Sequence, residues 1–176
     1  MTDKLTLALA QINPKVGDLE GNLQLIREAH TMAARQGADL VIFPELAVTG
    51  YPPEDLVLSE AFLAATETAV AKLAALTKAD GPALLVGAPW RKNTFHTGHG
   101  EDTALFSSPH SAAPPKPSFN AVLLLDQGMI KTVRVKHDLP NYGVFDEKRV
   151  FNAGPLPGPI NFRGVRLGIL ICEDYW

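Results

Sequence analysis

Short apolar runs alternate with amphipathic stretches over the first half of the chain, and this alternation constrains the fold more than any other feature. Residues 5–12, 40–43 and 83–87 have the composition of buried strands. Between them, apolar residues recur at helical spacing across 18–37 and 60–77. Strand, helix, strand, helix, strand is typical of an α/β fold, which is the fold class we predict.

The second half of the chain is less regular. Residues 91–118 hold prolines, glycines, serines and three histidines with little periodicity, which predicts a long exposed loop or a disordered insert. Residues 119–125 and 129–135 return to strand character on either side of a turn signal. A final hairpin, whose second strand is predicted over 165–171, would deliver Cys172 at its end.

Charge and composition restrict the partners of the chain. The net charge is −3 and no lysine–arginine cluster is present, so neither a nucleic acid nor a membrane surface is predicted as a partner. No apolar run approaches the roughly 20 residues that a membrane-spanning helix needs. The single cysteine excludes an internal disulfide and suits a reducing compartment. We therefore expect a cytoplasmic protein.

Neither a metal site nor a nucleotide site is predicted. His96, His99 and His110 all lie in the irregular 91–118 segment, without a cysteine or acidic partner at a fixed spacing. The chain also has neither a GxxxxGK[ST] loop nor a GxGxxG fingerprint, the glycine-rich motifs that bind nucleotide phosphates. A polar loop is the better interpretation of the histidines.

Three residues with complementary chemistry follow predicted strands, namely Glu45, Lys136 and Cys172. Reactive groups of α/β folds gather at the carboxyl ends of strands. A cysteine thiolate attacks carbonyl carbon, a glutamate takes the thiol proton, and a lysine ammonium stabilises the resulting oxyanion. The convergence of the three therefore indicates a cysteine-based amide hydrolase.

Taken singly, each of these residues also has an ordinary structural interpretation. An isolated cysteine is more often a small buried hydrophobe than a nucleophile. Glu45 fits a helix cap or a surface carboxylate equally well, and Lys136 fits a solvated surface charge. Only the combination of the three favours catalysis.

Three longer segments carry a family resemblance. FPELAVTGYPPEDL surrounds Glu45, KHDLPNYGVFDEKRVF begins at Lys136, and GILICEDYW surrounds Cys172. In this order and spacing they resemble the nitrilase superfamily of carbon–nitrogen hydrolases, in which 91–118 would be an insertion. The YPPEDL, LPNYGVFDE and CEDYW strings are similar to one branch, the amino-terminal glutaminase domain of glutamine-dependent NAD synthetases.

The resemblance implies an αββα sandwich and a Glu–Lys–Cys triad. In that triad Glu45 would be the general base, Lys136 the oxyanion-stabilising cation and Cys172 the nucleophile. Further implied residues are Glu147 beside the lysine, the backbone N–H of Glu173 in the oxyanion hole, and Tyr142 and Tyr51 in the glutamine pocket. The implied reaction is hydrolysis of the glutamine side-chain amide through a thioester, with neither cofactor nor metal.

In that branch the glutaminase domain continues beyond the cysteine, so we expect this chain to hold only the amino-terminal part of the sandwich. A synthetase domain of the same polypeptide, which uses ATP and Mg²⁺, would pass the ammonia to deamido-NAD, and the full-length protein is expected to be a homo-oligomer. Missing strands would leave 167–171 uncovered and the isolated chain unstable or inactive. A stand-alone nitrilase-family amidase or carbamoylase and a non-catalytic remnant are the alternatives.

Overall fold

A five-stranded sheet forms the centre of the computed structural model, which describes residues 4–78, 80–91 and 116–176 in full and only the backbone of 94–96 and 102–104. The strands are β1 (Leu7–Leu9), β2 (Leu40–Ile42), β3 (Ala83–Trp90), β4 (Thr94–His96), β5 (Asp102–Ala104), β6 (Phe119–Asp126), β7 (Met129–Val135), β8 (Ile160–Phe162) and β9 (Val165–Leu167). The central sheet has the order β1–β2–β3–β6–β7, parallel from β1 to β3 and antiparallel from β3 to β7. The predicted α/β fold class is confirmed.

Two long helices cover one face of this sheet. They are α1 (Leu19–Arg35) and α2 (Glu60–Leu76), and a short third helix, α3 (Glu147–Val150), follows later in the chain. The Asp18 carboxylate accepts from the N–H of Gly21 at 3.0 Å, and the Ser59 hydroxyl caps α2 in the same way. The apolar sides of α1 and α2 pack on β3, β6 and β7, where they bury the largest core cluster.

The opposite face of the sheet meets a second, smaller β layer. Leu40, Leu85 and Leu124 on this face pack against Ile160 and Phe162 of the antiparallel β8–β9 pair. This two-stranded layer covers only part of the face. Leu9 in β1 is 78% exposed and Leu170 beyond β9 is 52% exposed. None of the helices in the described part of the chain is long and apolar enough to cross a membrane.

The last predicted strand is corrected by the structure. The predicted strand at 165–171 ends as β9 at Leu167, so Cys172 does not directly follow a strand. Strand β9 pairs only with β8, and residues 168–171 have no ladder partner within the described residues. The N–H of Ile171 instead donates to the Asp174 carboxylate at 3.2 Å. This hydrogen bond holds residues 171–174 in a turn.

The irregular segment at 91–118 is also partly regular. Strands β4 and β5 form a short antiparallel pair within it, which the prediction of a loop or disordered insert missed. His96 lies in β4, whereas His99 and His110 lie outside the described residues.

Candidate active site

Glu45 is held at the end of β2 by close packing against β3. Pro44 ends the strand, and the next residue but one, Leu46, has a left-handed backbone with a φ of 49°. A Cβ atom on Gly87 would lie 2.3 Å from the Leu46 nitrogen, so only glycine allows this approach. The Glu45 side chain is 20% exposed and therefore reaches the rim of the site.

Lys136 is fully buried at the end of β7. Its N–H donates to the carbonyl of Asn120 at 2.8 Å, which makes Asn120 its neighbour across the ladder. Its carbonyl accepts from the N–H of Gly154 at 2.8 Å. A Cβ atom on Gly154 would lie 2.2 Å from Cγ2 of Val135, so the absence of a side chain there allows the loop to close over the lysine.

The Lys136 ammonium bridges two carboxylates. Its Nζ donates to Oε1 of Glu45 at 2.7 Å and to Oε1 of Glu147 at 2.9 Å. Desolvation disfavours the ammonium, but the hydrogen bonds and charges of the two glutamates raise the pKa of Lys136 above its ordinary value. One ammonium thus ties two carboxylates from distant parts of the chain into a single cluster.

The two carboxylates have different hydrogen-bond environments. Glu147 is buried, and Oε1 also accepts from the Tyr51 hydroxyl at 2.9 Å while Oε2 accepts from Asn120 Nδ2 at 3.2 Å. Asn120 Nδ2 also donates to Oε1 of Glu45 at 2.7 Å. No described residue bonds Oε2 of Glu45, so this oxygen is available to take a proton, whereas both oxygens of Glu147 are occupied. Glu45 is therefore the better candidate for a general base.

Cys172 opens a 3-10 turn that runs from Cys172 to Tyr175, and its side chain is exposed. Its φ of 48° is in the left-handed region, a strained conformation for a residue with a side chain. Partial desolvation of the sulfur and then the Glu45 charge raise the pKa of the thiol, while the Lys136 charge opposes the rise. A thiol with a raised pKa is mostly protonated at neutral pH, so it needs a base to act as a nucleophile.

The Asp174 carboxylate connects the cysteine turn to the segment that follows Lys136. Oδ1 accepts from the N–H groups of His137 at 2.9 Å and Asp138 at 2.8 Å, and Oδ2 accepts from the N–H of Ile171. These donors flank Lys136 on one side and Cys172 on the other. One carboxylate therefore fixes the relative position of the two chain segments.

Glu45 and Cys172 line the same cavity, which has a volume of about 150 Å³. Its remaining walls are mostly apolar, from Ile42, Phe43, Pro44, Leu85, Gly87, Asn120, Ala121, Val122, Ile169, Leu170 and Ile171. Pockets for drug-sized ligands are larger, at about 300–1,000 Å³. The cavity therefore suits a side-chain-sized, uncharged group placed between a carboxylate and a thiol.

The two tyrosines implied for the substrate pocket have other partners. The Tyr51 hydroxyl donates to Glu147, and Tyr51 does not line the cavity that contains Cys172. The exposed Tyr142 donates its hydroxyl to both carboxylate oxygens of Glu173, at 3.0 and 3.2 Å. No described residue accepts the backbone N–H of Glu173, which leaves it free for an oxyanion. The substrate contacts of these residues stay predictions.

Asn120 and Asp174 were missed by the sequence reasoning, although both carried a signal. Asn120 is a polar residue in the otherwise apolar run FNAVLLL, and strand pairing places it opposite the residue that follows β7. Asp174 lies in the CEDYW string, two residues after the cysteine. Neither the pairing register nor the three N–H groups at Asp174 can be read from the letters alone.

Comparison with known proteins decides the family. The sequence profile of the carbon–nitrogen hydrolase family matches residues 6–176. The chain belongs to the carbon–nitrogen hydrolase family. This carbon–nitrogen hydrolase chain is 39% identical over 176 residues to the glutamine-dependent NAD(+) synthetase of Rhodobacter capsulatus, covering 100% of the chain and 28% of that relative. The chain thus spans little more than a quarter of the relative's length.

Solved structures show the same relationship. The glutamine-dependent NAD+ synthetase of Acinetobacter baumannii, solved with ADP, superposes with a TM-score of 0.77 at 34% identity, over 98% of this chain and 28% of that one. An amidase from Nesterenkonia sp. superposes with a TM-score of 0.71 at 25% identity, over 97% of this chain and 56% of that one. The fold of this carbon–nitrogen hydrolase is thus the nitrilase-superfamily fold, as the motifs implied.

Proposed function

We propose that this carbon–nitrogen hydrolase chain hydrolyses the side-chain amide of glutamine through a thioester on Cys172. The observation that carries the proposal is that Glu45, bound to Lys136 at 2.7 Å, lines one cavity with Cys172. The naming of the relatives as glutamine-dependent NAD(+) synthetases supports glutamine as the amide.

Acylation begins with proton transfer from the Cys172 thiol to the unbonded Oε2 of Glu45. The thiolate then attacks the amide carbon, and the carbonyl oxygen becomes an oxyanion. The Lys136 ammonium and the Glu173 N–H are the donors that stabilise this oxyanion. Protonated Glu45 returns its proton to the amide nitrogen, ammonia leaves, and the acyl group stays on the sulfur.

Deacylation uses the same groups in reverse. Glu45 takes a proton from a water molecule, and the hydroxide adds to the thioester carbon through a second oxyanion. Collapse of this intermediate releases glutamate and restores the thiol with the proton from Glu45. Lys136 keeps one charge throughout, since the raised pKa of its ammonium disfavours proton loss.

In the whole protein, the ammonia would pass to a synthetase domain of the same polypeptide for ATP-dependent, Mg²⁺-dependent conversion of deamido-NAD to NAD. The hydrolysis of the amide itself would use only the side chains of Glu45, Lys136 and Cys172, the backbone N–H of Glu173 and water, without a cofactor. A reducing cytoplasm would keep the single cysteine as a thiol, and assembly into a homo-oligomer belongs to the same proposal.

The test is steady-state hydrolysis by the full-length protein of glutamine, asparagine and short aliphatic amides. We expect glutamate and ammonia in equal amounts from glutamine, and no hydrolysis by Cys172→Ala. In that variant, NAD synthesis from added ammonia should persist while glutamine-dependent synthesis is lost. Preference for an aliphatic amide would support a general amidase instead, the alternative to which the Nesterenkonia structure points. Equal loss of glutamine-dependent and ammonia-dependent NAD synthesis would refute the assignment of glutamine hydrolysis to this domain and of NAD synthesis to the synthetase domain.

A further inference from the structure

We propose that Asn120 is a positioning residue for amide hydrolysis, which holds one oxygen of Glu45 so that the other faces Cys172. The inference rests on the proposed function and assigns a role to a residue outside the Glu–Lys–Cys set. Asn120 lies on β6 and lines the cavity together with Glu45 and Cys172.

Hydrogen bonds to Glu45 fall on one side of its carboxylate. Asn120 Nδ2 and Lys136 Nζ each donate to Oε1 at 2.7 Å. Two donors from adjacent strands fix the plane of the carboxyl group as well as its position. Without the Asn120 donor, the Glu45 carboxylate would keep only its ionic contact with Lys136, about which it could rotate. The second donor therefore determines where Oε2 points.

Asn120 also connects the two carboxylates. Its Nδ2 donates to Oε2 of Glu147 at 3.2 Å as well as to Glu45, so one amide group bridges the two glutamates. An amide provides donors without adding charge, whereas a carboxylate at this place would increase the negative charge of the cluster. An asparagine therefore suits the position between the two glutamates better than an aspartate would.

The oxygen of the same side chain argues against a purely structural role. Asn120 is 1% exposed, and its Oδ1 is buried without a hydrogen-bond partner among the described residues. Asn22 is equally buried, but its Oδ1 accepts from the N–H of Lys15 and its Nδ2 donates to the carbonyls of Lys15 and Val48. A buried polar side chain with one unpaired atom lowers stability. The presence of Asn120 at this position therefore points to a function of its other polar atom, Nδ2.

The expected effect is on the chemical step and not on substrate binding. Asn120→Ala removes one amide group from the cavity lining but leaves Lys136 and the other walls in place, so KM for glutamine should stay within about threefold of the wild type. Loss of the fixed orientation of Glu45 should lower kcat by about 10- to 100-fold. Because Asn120 acts through Glu45, the same change in a Glu45→Gln background should lower kcat by less than about twofold.

The experiment measures kcat and KM for glutamine in the full-length protein, with kcat expressed per Cys172 titrated by stoichiometric alkylation. The variants are Asn120→Ala, Glu45→Gln, the double variant, and Asn22→Ala as a control for loss of an equally buried asparagine. The control should keep kcat per titrated site within about twofold. If Asn120→Ala does not fold, Asn120→Ser keeps one donor and should give a smaller loss of kcat with the same dependence on Glu45.

An unchanged kcat per titrated site in Asn120→Ala overturns the proposal. So does an equal loss of kcat in the wild-type and Glu45→Gln backgrounds, because that result marks a structural role. If the wild type hydrolyses another primary amide and not glutamine, the proposed substrate is refuted. The same variants measured with that amide then decide the role of Asn120 independently.

Discussion

Removal of the buried ammonium tests the account of the site through stability. Lys136 is fully buried and binds two carboxylates, one of which, Glu147, is only 5% exposed at its side chain. Lys136→Met keeps the length and apolar stem of the side chain but removes the charge. The variant would then place two carboxylates at one site with no cation between them, which the fold tolerates poorly.

The size of the effect follows from these contacts. Removal of one partner from a buried ion pair costs about 3–5 kcal/mol, and this is the loss of unfolding free energy that we expect for Lys136→Met. The double variant Lys136→Met/Glu147→Gln also removes one of the two carboxylates left without a cation. It should recover about 1–3 kcal/mol of unfolding free energy. Lys72→Met is the control, because its ion pair with Glu20 is exposed and its loss should change stability little.

The assay is urea-dependent proteolysis of the full-length protein, supported by thermal unfolding of all variants at one protein concentration. The pKa of Lys136 is raised above the ordinary lysine value of 10.5, so its stabilising charge is present throughout the neutral range. That contribution should be lost only as the pH rises through the raised pKa. Equal losses for Lys136→Met and Lys72→Met, or no recovery in the double variant, would refute the buried three-residue cluster.

Two further predictions concern the catalytic step. Glu45→Gln removes a charge that raises the pKa of Cys172, so iodoacetamide should alkylate the thiol faster at pH 7.5, while loss of the base should slow glutamine hydrolysis by at least about 100-fold. A parallel fall of both rates would contradict this assignment of Glu45. Asp174→Ala removes the acceptor of three backbone N–H groups and should lower kcat per alkylatable Cys172 by about 10- to 100-fold. Asp174→Asn keeps the acceptor for His137 and Asp138, so its kcat should fall less. Equal kcat in Asp174→Ala and the wild type would show that Asp174 does not position the catalytic groups.

The elements that position Glu45 and Lys136 could be predicted because their sequence patterns are local. Helix α2 covers Glu60–Leu76 where apolar spacing predicted 60–77, and β7 covers Met129–Val135 as predicted. The predicted amphipathic stretch begins at Asp18, and the structure shows that this residue caps α1. Each of these signals depends on neighbours within a few residues.

The parts that failed depend on contacts distant in sequence. Strand β9 was predicted too long because an apolar run does not reveal that β8 is its only partner among the described residues. Nor does it reveal that the N–H of Ile171 donates to Asp174. Helix α3 begins at Glu147 in a proline- and glycine-rich stretch, where a single helical turn has almost no periodicity to detect. The double role of Asn120 required the register of β6 against β7, which shifts at an irregularity between Leu124 and Leu125 that the predicted pair of strands does not reveal.

Covalent labelling of the full-length protein by a glutamine-like diazoketone, followed by intact-mass and peptide mass spectrometry, tests the central claim most directly. The account predicts one adduct per chain, located on Cys172, whose formation is prevented by excess glutamine and largely lost in Lys136→Ala. A Cys172 that reacts with iodoacetamide but takes no adduct from the diazoketone would contradict the claim that this site accepts glutamine.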